Sequence, residues 1–183
     1  GGNFWRGRTS EHMDRTKADQ IGMLATVMTC IYVADMCRQT GLKTKVFTPF
    51  VCGSFAEVFS KDAAVEALEQ GMVTFFAGGT GHPYFSTDTA TALRAIEIKA
   101  DAILLAKAID DVYDSDPKIN KDAIKYDRIT LDEVLDQKLA VIDLTATIMC
   151  LENQMPLAVF GLNEDNSIVN TFNGEFHGTY VDA

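Results

Sequence analysis

The sequence predicts an α/β fold, a three-layer α/β/α sandwich with a mainly parallel sheet. Three observations lead there. Short apolar runs rich in β-branched and aromatic residues alternate with segments of helical period. One of these runs, over 72–77, breaks on glycine and re-forms as a helix, as a parallel strand does when it enters its crossover. At 183 residues and 47% hydrophobic content, the chain is sized for one domain with an ordinary core.

The stretch that organises the rest is VTFFAGGTGHPYFSTDTATALR, residues 73–94. It starts as an apolar run over 72–77, short enough for a buried strand. It breaks at Gly78, Gly79 and Gly81, where glycine opens backbone conformations closed to other residues. It resumes as a helix with Ser86, Thr87 and Asp88, all capping types, in its first turn. Strand, glycine turn and helix start together aim free backbone N–H groups and the positive end of the helix dipole at one point, which suits a phosphate.

In chain order, 1–7 (GGNFWRG) reads as a glycine turn, and 8–17 as a polar loop. Ile21, Leu24, Met28, Ile31 and then Ala34 or Cys37 recur at helical spacing, predicting a helix over 18–40 with Gly41 as its C-terminal cap. A strand is expected over 45–50, a helix over 60–70 stopped by Gly71, and the organising helix to about residue 99. A buried strand follows over 101–106, then a long polar loop over 109–127. Thr130-Leu131-Asp132-Glu133 fits a capping box, placing a helix over 131–138, and Asp143 caps another to 153. A strand over 157–161, a short helix over 166–172 and a last strand over 178–181 complete the chain. In open sheets of this kind, ligands bind beyond the carboxyl ends of the strands, where the turns at Gly78 and Asp110 fall.

Composition excludes several classes. Sixteen basic against 26 acidic residues give a net charge of −10, a poor match to nucleic acid or an anionic membrane. No apolar run of the sequence approaches a bilayer span. Cys30, Cys37, Cys52 and Cys150 form no C-x-x-C pair and read as reduced thiols of a cytosolic protein. The acidic loop 110–116 lacks EF-hand spacing, and His12, His82 and His177 stand beside no nucleophile motif.

The glycine turn is neither a P-loop nor a dinucleotide fingerprint, because the required Gly-Lys and third glycine are missing. Phosphate binding and a structural tight turn remain open for it, with Thr80, Ser86 and Thr87 offering hydroxyl donors. Asp88 either complements the helix dipole or serves as a metal-side carboxylate. Arg6 is a candidate phosphate clamp or an exposed arginine without a role. Asp19 either caps the long helix or accepts hydrogen bonds from a ribose.

Taken together, GGNFWRG at 1–7, DQIGMLAT at 19–26, GTGHPYFSTD at 79–88 and VYDSDP at 112–117 resemble the bacterial-type uridylate kinases, members of the amino-acid-kinase fold. The resemblance is collinear from Gly1 to the C-terminus, and the GTG-x-P-x-F-[ST]-TD segment separates it from the carbamate, glutamate and aspartate kinases. It implies transfer of the ATP γ-phosphoryl group to UMP, with Mg²⁺ accompanying ATP, in pyrimidine nucleotide biosynthesis. It implies that Gly1 and Asp19 contact UMP, Asp19 at the ribose, and that Thr80, Gly81, His82, Pro83, Tyr84, Phe85, Ser86 and Thr87 wrap its phosphate and base. Gly2 and Arg6 would face the transferring phosphates; Lys107, Tyr113 and Asp116 would line the ATP side. Asp88 and Asp143 fall at acidic positions close to the reaction centre. A homohexamer activated by GTP and inhibited by UTP is implied as well.

Two departures from that pattern shape the expectations. The family opens with a strand carrying K-[LI]-S-G-E, then a helix and a second strand ending at Gly1, so a unit of roughly 30 residues or more is expected ahead of this chain. Without its lysine, residues 1–183 alone are expected to be nearly inactive. Asp111 stands where the family has glycine, adding negative charge near the nucleotide and costing about 1 kcal/mol if a positive φ is needed there. The alternative functions are a non-catalytic nucleotide or oxyanion module on the same fold, and a carbamate or amino-acid kinase.

Overall fold

The computed structural model describes residues 2, 4–7, 12–108, 111–115, 119–139 and 141–183. Its contacts group into two compact units, Gly1–Ala90 and Thr91–Ala183, with the boundary inside one helix.

In the first unit, α1 (Arg15–Gln39) leads to β1 (Thr44–Thr48), β2 (Glu57–Val58), α2 (Lys61–Glu69), β3 (Val73–Phe76) and the start of α3 (Thr87–Glu97). The sheet order is β2-β1-β3, and both pairings are parallel. Phe47 lies beside Phe76 in the β1–β3 register, and their rings stack 5.9 Å apart with Phe59 edge-on to both. Val27 and Ala34 of α1 pack with Val46 and Ala77 in a second apolar cluster. Aromatics and β-branched residues fill a pleated face well, which is why these short runs become strands.

The second unit continues with β4 (Ile103–Lys107), β5 (Val112–Tyr113), β6 (Lys125–Tyr126), β7 (Arg128–Thr130), α4 (Leu131–Asp136), α5 (Leu144–Glu152), β8 (Leu157–Gly161), α6 (Ser167–Phe172) and β9 (Gly178–Asp182). Its main sheet runs β4-β8-β9-β7, parallel at both ends and antiparallel between β8 and β9. β8 is buried along its whole length, as expected of a central strand. The core gathers Ile103, Leu131, Val134, Ala146, Cys150, Leu157, Val159 and Val181. The architecture is mixed α/β with mainly parallel pairing, as the sequence predicts.

Four local expectations change. The long helix starts at Arg15 because Asp14 is its N-cap, accepting from the Lys17 N–H at 3.1 Å. Asp19, a turn further on, therefore caps nothing. The polar loop over 109–127 contains the antiparallel β5–β6 pair, whose strands are too short to leave a periodic signal. β3 is half-buried rather than buried, with Val73 exposed. Finally, α1 is by length and composition apolar enough to cross a membrane. This corrects the expectation that no segment approaches a bilayer span: scattered threonines, a glycine and single charges break the run of apolar letters without making the helix polar. Within its unit, Ala18, Ala25, Val27 and Ala34 of this helix are buried, and it packs on β1 and β3.

Candidate functional site

β1 and β3 are parallel, so the chain leaves both at the same sheet end: Pro49 and Phe50 follow β1, and Gly78 follows β3. Those two exits touch. A Cβ on Gly78 would stand 2.9 Å from Pro49 and Phe50, and one on Gly81 2.9 Å from Pro49. Both glycines have positive φ, +80° and +82°, so conformation and space each demand glycine there. Thr26 of α1 fastens the turn from behind: its Oγ1 accepts from the Gly78 N–H at 2.8 Å and donates to the Met23 carbonyl. The sequence motif around residue 26 gave no reason to single out that hydroxyl; only the fold brings it 52 positions along the chain.

Beyond the turn, Thr80 closes on His82, its Oγ1 accepting from the His82 N–H at 3.2 Å. Ser86 caps α3, its Oγ accepting from the Thr89 N–H at 3.1 Å. Two of the three expected hydroxyl donors thus also serve as local acceptors, and a hydroxyl can do both. Thr87 is exposed and Asp88 half-buried in the first helical turn, where its charge complements the dipole. His82, Tyr84 and Phe85 are exposed, while Gly81 and Pro83 are half-buried. Tyr84 has φ +71°, a left-handed conformation that costs a bulky residue about 1–3 kcal/mol and persists only when its surroundings impose it.

What imposes it is Asp19. The Tyr84 N–H donates to Asp19 Oδ2 at 2.9 Å, a bond between residues 65 positions apart. Arg15 Nε donates to both Asp19 oxygens, at 2.9 and 2.8 Å. Gly7 closes another side: a Cβ on it would fall 2.3 Å from Asp19 Oδ1. The motif over 1–7 assigns Gly7 no role by itself, and the close approach supplies one. Nearby, the Arg6 guanidinium lies against Gly2, 3.0 Å from where a Cβ would be, and the Trp5 indole N–H donates to the Ala18 carbonyl at 2.8 Å. The first unit thus joins Asp19 to Tyr84 and Arg6 to Gly2. Gly1 lies outside the described residues.

In the second unit, Lys107 ends β4 and its Nζ donates to the Val141 carbonyl. Asp143, two residues later, caps α5 with Oδ1 accepting from the Ala146 N–H at 3.0 Å. Tyr113 lies in β5. Asp116 and Asp110 lie outside the described residues. Asp111 does not have a positive φ, so the strain foreseen for it is absent, and it is ion-paired with Lys125 at 2.9 Å.

All four cysteines are free; burial raises the Cys30 thiol and pushes Cys150 up to about 11, far from the thiolate range of a nucleophile. Among the described residues, no group of three or more His, Cys, Asp or Glu side chains is placed to hold a metal.

Comparison with known proteins agrees with this geometry. The family model described as "Amino acid kinase family" matches residues 1–161. A crystal structure of UMP kinase from Ureaplasma parvum superposes with a TM-score of 0.94 at 37% identity, covering 100% of this chain and 79% of that one. A UMP kinase from Bacillus anthracis superposes with a TM-score of 0.93 at 34% identity, covering 99% of this chain and 76% of that one. The chain belongs to the amino acid kinase family, a kinase in class and of the UMP-kinase type in fold.

Proposed function

We propose that the protein is a UMP kinase, transferring the γ-phosphoryl group of ATP to UMP to give UDP and ADP. The observation that carries the reading is the bond from the Tyr84 N–H to Asp19, which seats the glycine-turn loop on the helix bearing the sugar-binding carboxylate. Asp19 then accepts from the ribose. Thr80, Gly81, His82, Pro83, Tyr84, Phe85, Ser86 and Thr87 wrap the phosphate and base, and the resemblance gives Gly1 a contact with UMP as well. Tyr84 is 67% exposed and Phe85 54%, ring area suited to cover a pyrimidine. Both relatives compared above are UMP kinases, which favours UMP over carbamate or an amino acid as acceptor.

A UMP phosphate oxygen attacks the γ-phosphorus, and the bond from that phosphorus to the β,γ-bridging oxygen breaks, leaving ADP. Such a transfer needs positioning and charge neutralisation rather than a covalent intermediate or a histidine base. The Gly2 backbone and the Arg6 fork face the moving phosphates, a planar cation suited to phosphate oxygens. The resemblance to the uridylate kinases assigns Lys107, Tyr113 and Asp116 to the ATP side, and Asp88 and Asp143 to acidic positions close to the reaction centre. Mg²⁺ in such reactions is held largely by the nucleotide's own phosphates and one or two carboxylates, a part that Asp88 could take here. When bound, it neutralises phosphate charge.

The proposed assembly is a cytoplasmic homohexamer that responds to GTP and UTP. Leu24, Met28, Tyr32 and Met36 support a subunit interface: they are exposed and spaced four apart along one stripe of α1. A mass measurement in solution tests the assembly. The reaction is tested on the complete protein by coupling ADP formation to UMP, carbamate or glutamate as acceptor. UMP-dependent turnover is expected. UMP binding without turnover would instead favour a binding module, and turnover of carbamate or glutamate another kinase of the fold.

A further inference from the structure

We propose that Arg15 is a positioning residue for the acceptor sugar, orienting the Asp19 carboxylate and pinning the Tyr84 loop beside it. The inference rests on the UMP reading above and concerns a residue to which neither the sequence motifs nor the family resemblance gave a role.

Arg15 is the first residue of α1, one turn before Asp19 on the same face. An ordinary pair at that spacing on a helix surface contributes little. This one differs in three respects. The Asp19 side chain is only 14% exposed, and Arg15 Nε lies between its two oxygens, at 2.9 and 2.8 Å. The same carboxylate takes the Tyr84 N–H, so one anion joins the helix to the loop. The Arg15 guanidinium carbon also lies 5.2 Å from the centre of the Tyr84 ring, within cation–π range. Arg15 therefore grips the loop twice, through the anion that holds its backbone and through its aromatic face.

Orientation follows from these contacts. A carboxylate held on a single donor can rotate about its last bond. Here the Tyr84 N–H fixes Oδ2, Gly7 crowds Oδ1, and Arg15 Nε spans both. The oxygens then meet a sugar hydroxyl in one direction, which is what discriminates a nucleotide bearing that hydroxyl from one lacking it. A lysine would keep the charge but not the planar fork that lies over the ring.

The test measures affinities of the complete protein by calorimetry for UMP, 2′-deoxy-UMP, 3′-deoxy-UMP and ATP, in wild type, Arg15→Lys and Arg15→Gln. Wild type is expected to prefer UMP over at least one deoxy analogue. Both variants should bind UMP about tenfold more weakly, hardly change for that analogue, and leave ATP affinity unaltered. The collapse of the UMP-to-deoxy ratio is a readout that a loss of fold stability alone does not produce. An unchanged ratio in both variants, or full discrimination with Arg15→Lys, overturns the role of Arg15. If wild type itself fails to bind UMP, the UMP reading falls and this inference with it, a result separable from the first because it needs no variant.

Discussion

Asp111 Oδ1 lies 2.9 Å from Lys125 Nζ, so the carboxylate that stands where glycine was expected is neutralised by the opposite strand of its own hairpin. Val112 pairs with Tyr126 and Tyr113 with Lys125, and the charge of Asp127 acts on Lys125 as well as that of Asp111. The extra negative charge that made this position a concern for ATP is thereby balanced within the protein.

This pair gives a pH prediction. Burial pulls the Lys125 pKa down, but the hydrogen bond and charge of Asp111, with Asp127 and Tyr113, more than offset it, and the net shift is upward. A raised folded-state value means stability fully present below the ordinary lysine pKa and lost as pH rises through the folded value. Denaturant titrations above pH 10 should show wild-type stability falling more steeply with pH than that of Asp111→Asn. Because the Lys125 side chain is 37% exposed, Asp111→Asn should cost only about 1 kcal/mol at neutral pH.

Thr179 should matter more than its size suggests. Its buried hydroxyl accepts from the Val112 N–H at 3.0 Å and donates to the Tyr126 carbonyl, tying both hairpin strands to β9. Thr179→Val keeps the shape and removes both of these hydrogen bonds, a loss of about 2 kcal/mol by chemical denaturation. A change below about 0.5 kcal/mol would mean that water replaces the hydroxyl.

Asp143 allows a structural role to be separated from a chemical one. Asparagine caps helices as well as aspartate does, so Asp143→Asn should leave the melting temperature nearly unchanged, whereas Asp143→Ala should cost about 1 kcal/mol. If Asp143 also acts near the transferring phosphates, Asp143→Asn should lower kcat at unaltered stability. Full activity in that variant would confine the residue to capping.

The glycines of the turn should respond unequally. Gly79 has φ +60° with open space around its Cα, and asparagine visits that region readily, so Gly79→Asn should cost under about 1 kcal/mol. Gly81→Ala meets both a positive φ and Pro49, and about 2–3 kcal/mol is expected, together with weaker UMP binding. Equal tolerance at both positions, read by thermal melts and calorimetry, would contradict the packing against Pro49.

Local chemistry was legible in the sequence wherever neighbours in the chain decide it. The capping box closes as expected, with Thr130 Oγ1 accepting from the Glu133 N–H and Glu133 accepting from the Thr130 N–H. The caps at Ser60 and Asp143, the glycine stops at Gly41 and Gly71, and β8 at its expected bounds are of the same kind. Each rests on interactions spanning a few residues, and residue type there predicts geometry directly.

The tertiary structure decided what depends on partners far along the chain. The motif over 19–26 marks Asp19, but that its carboxylate holds the Tyr84 N–H 65 residues away follows only from folding α1 against the exit of β3. The same holds for Thr26 behind Gly78, for Pro49 against Gly81, and for Lys125 balancing Asp111. A side chain's composition and period say which face it prefers, not which distant donor will meet it there, because that meeting is set by strand order and register. The strand, glycine turn and helix start were therefore fixed by sequence, and their closure into one site by the parallel pairing of β1 with β3.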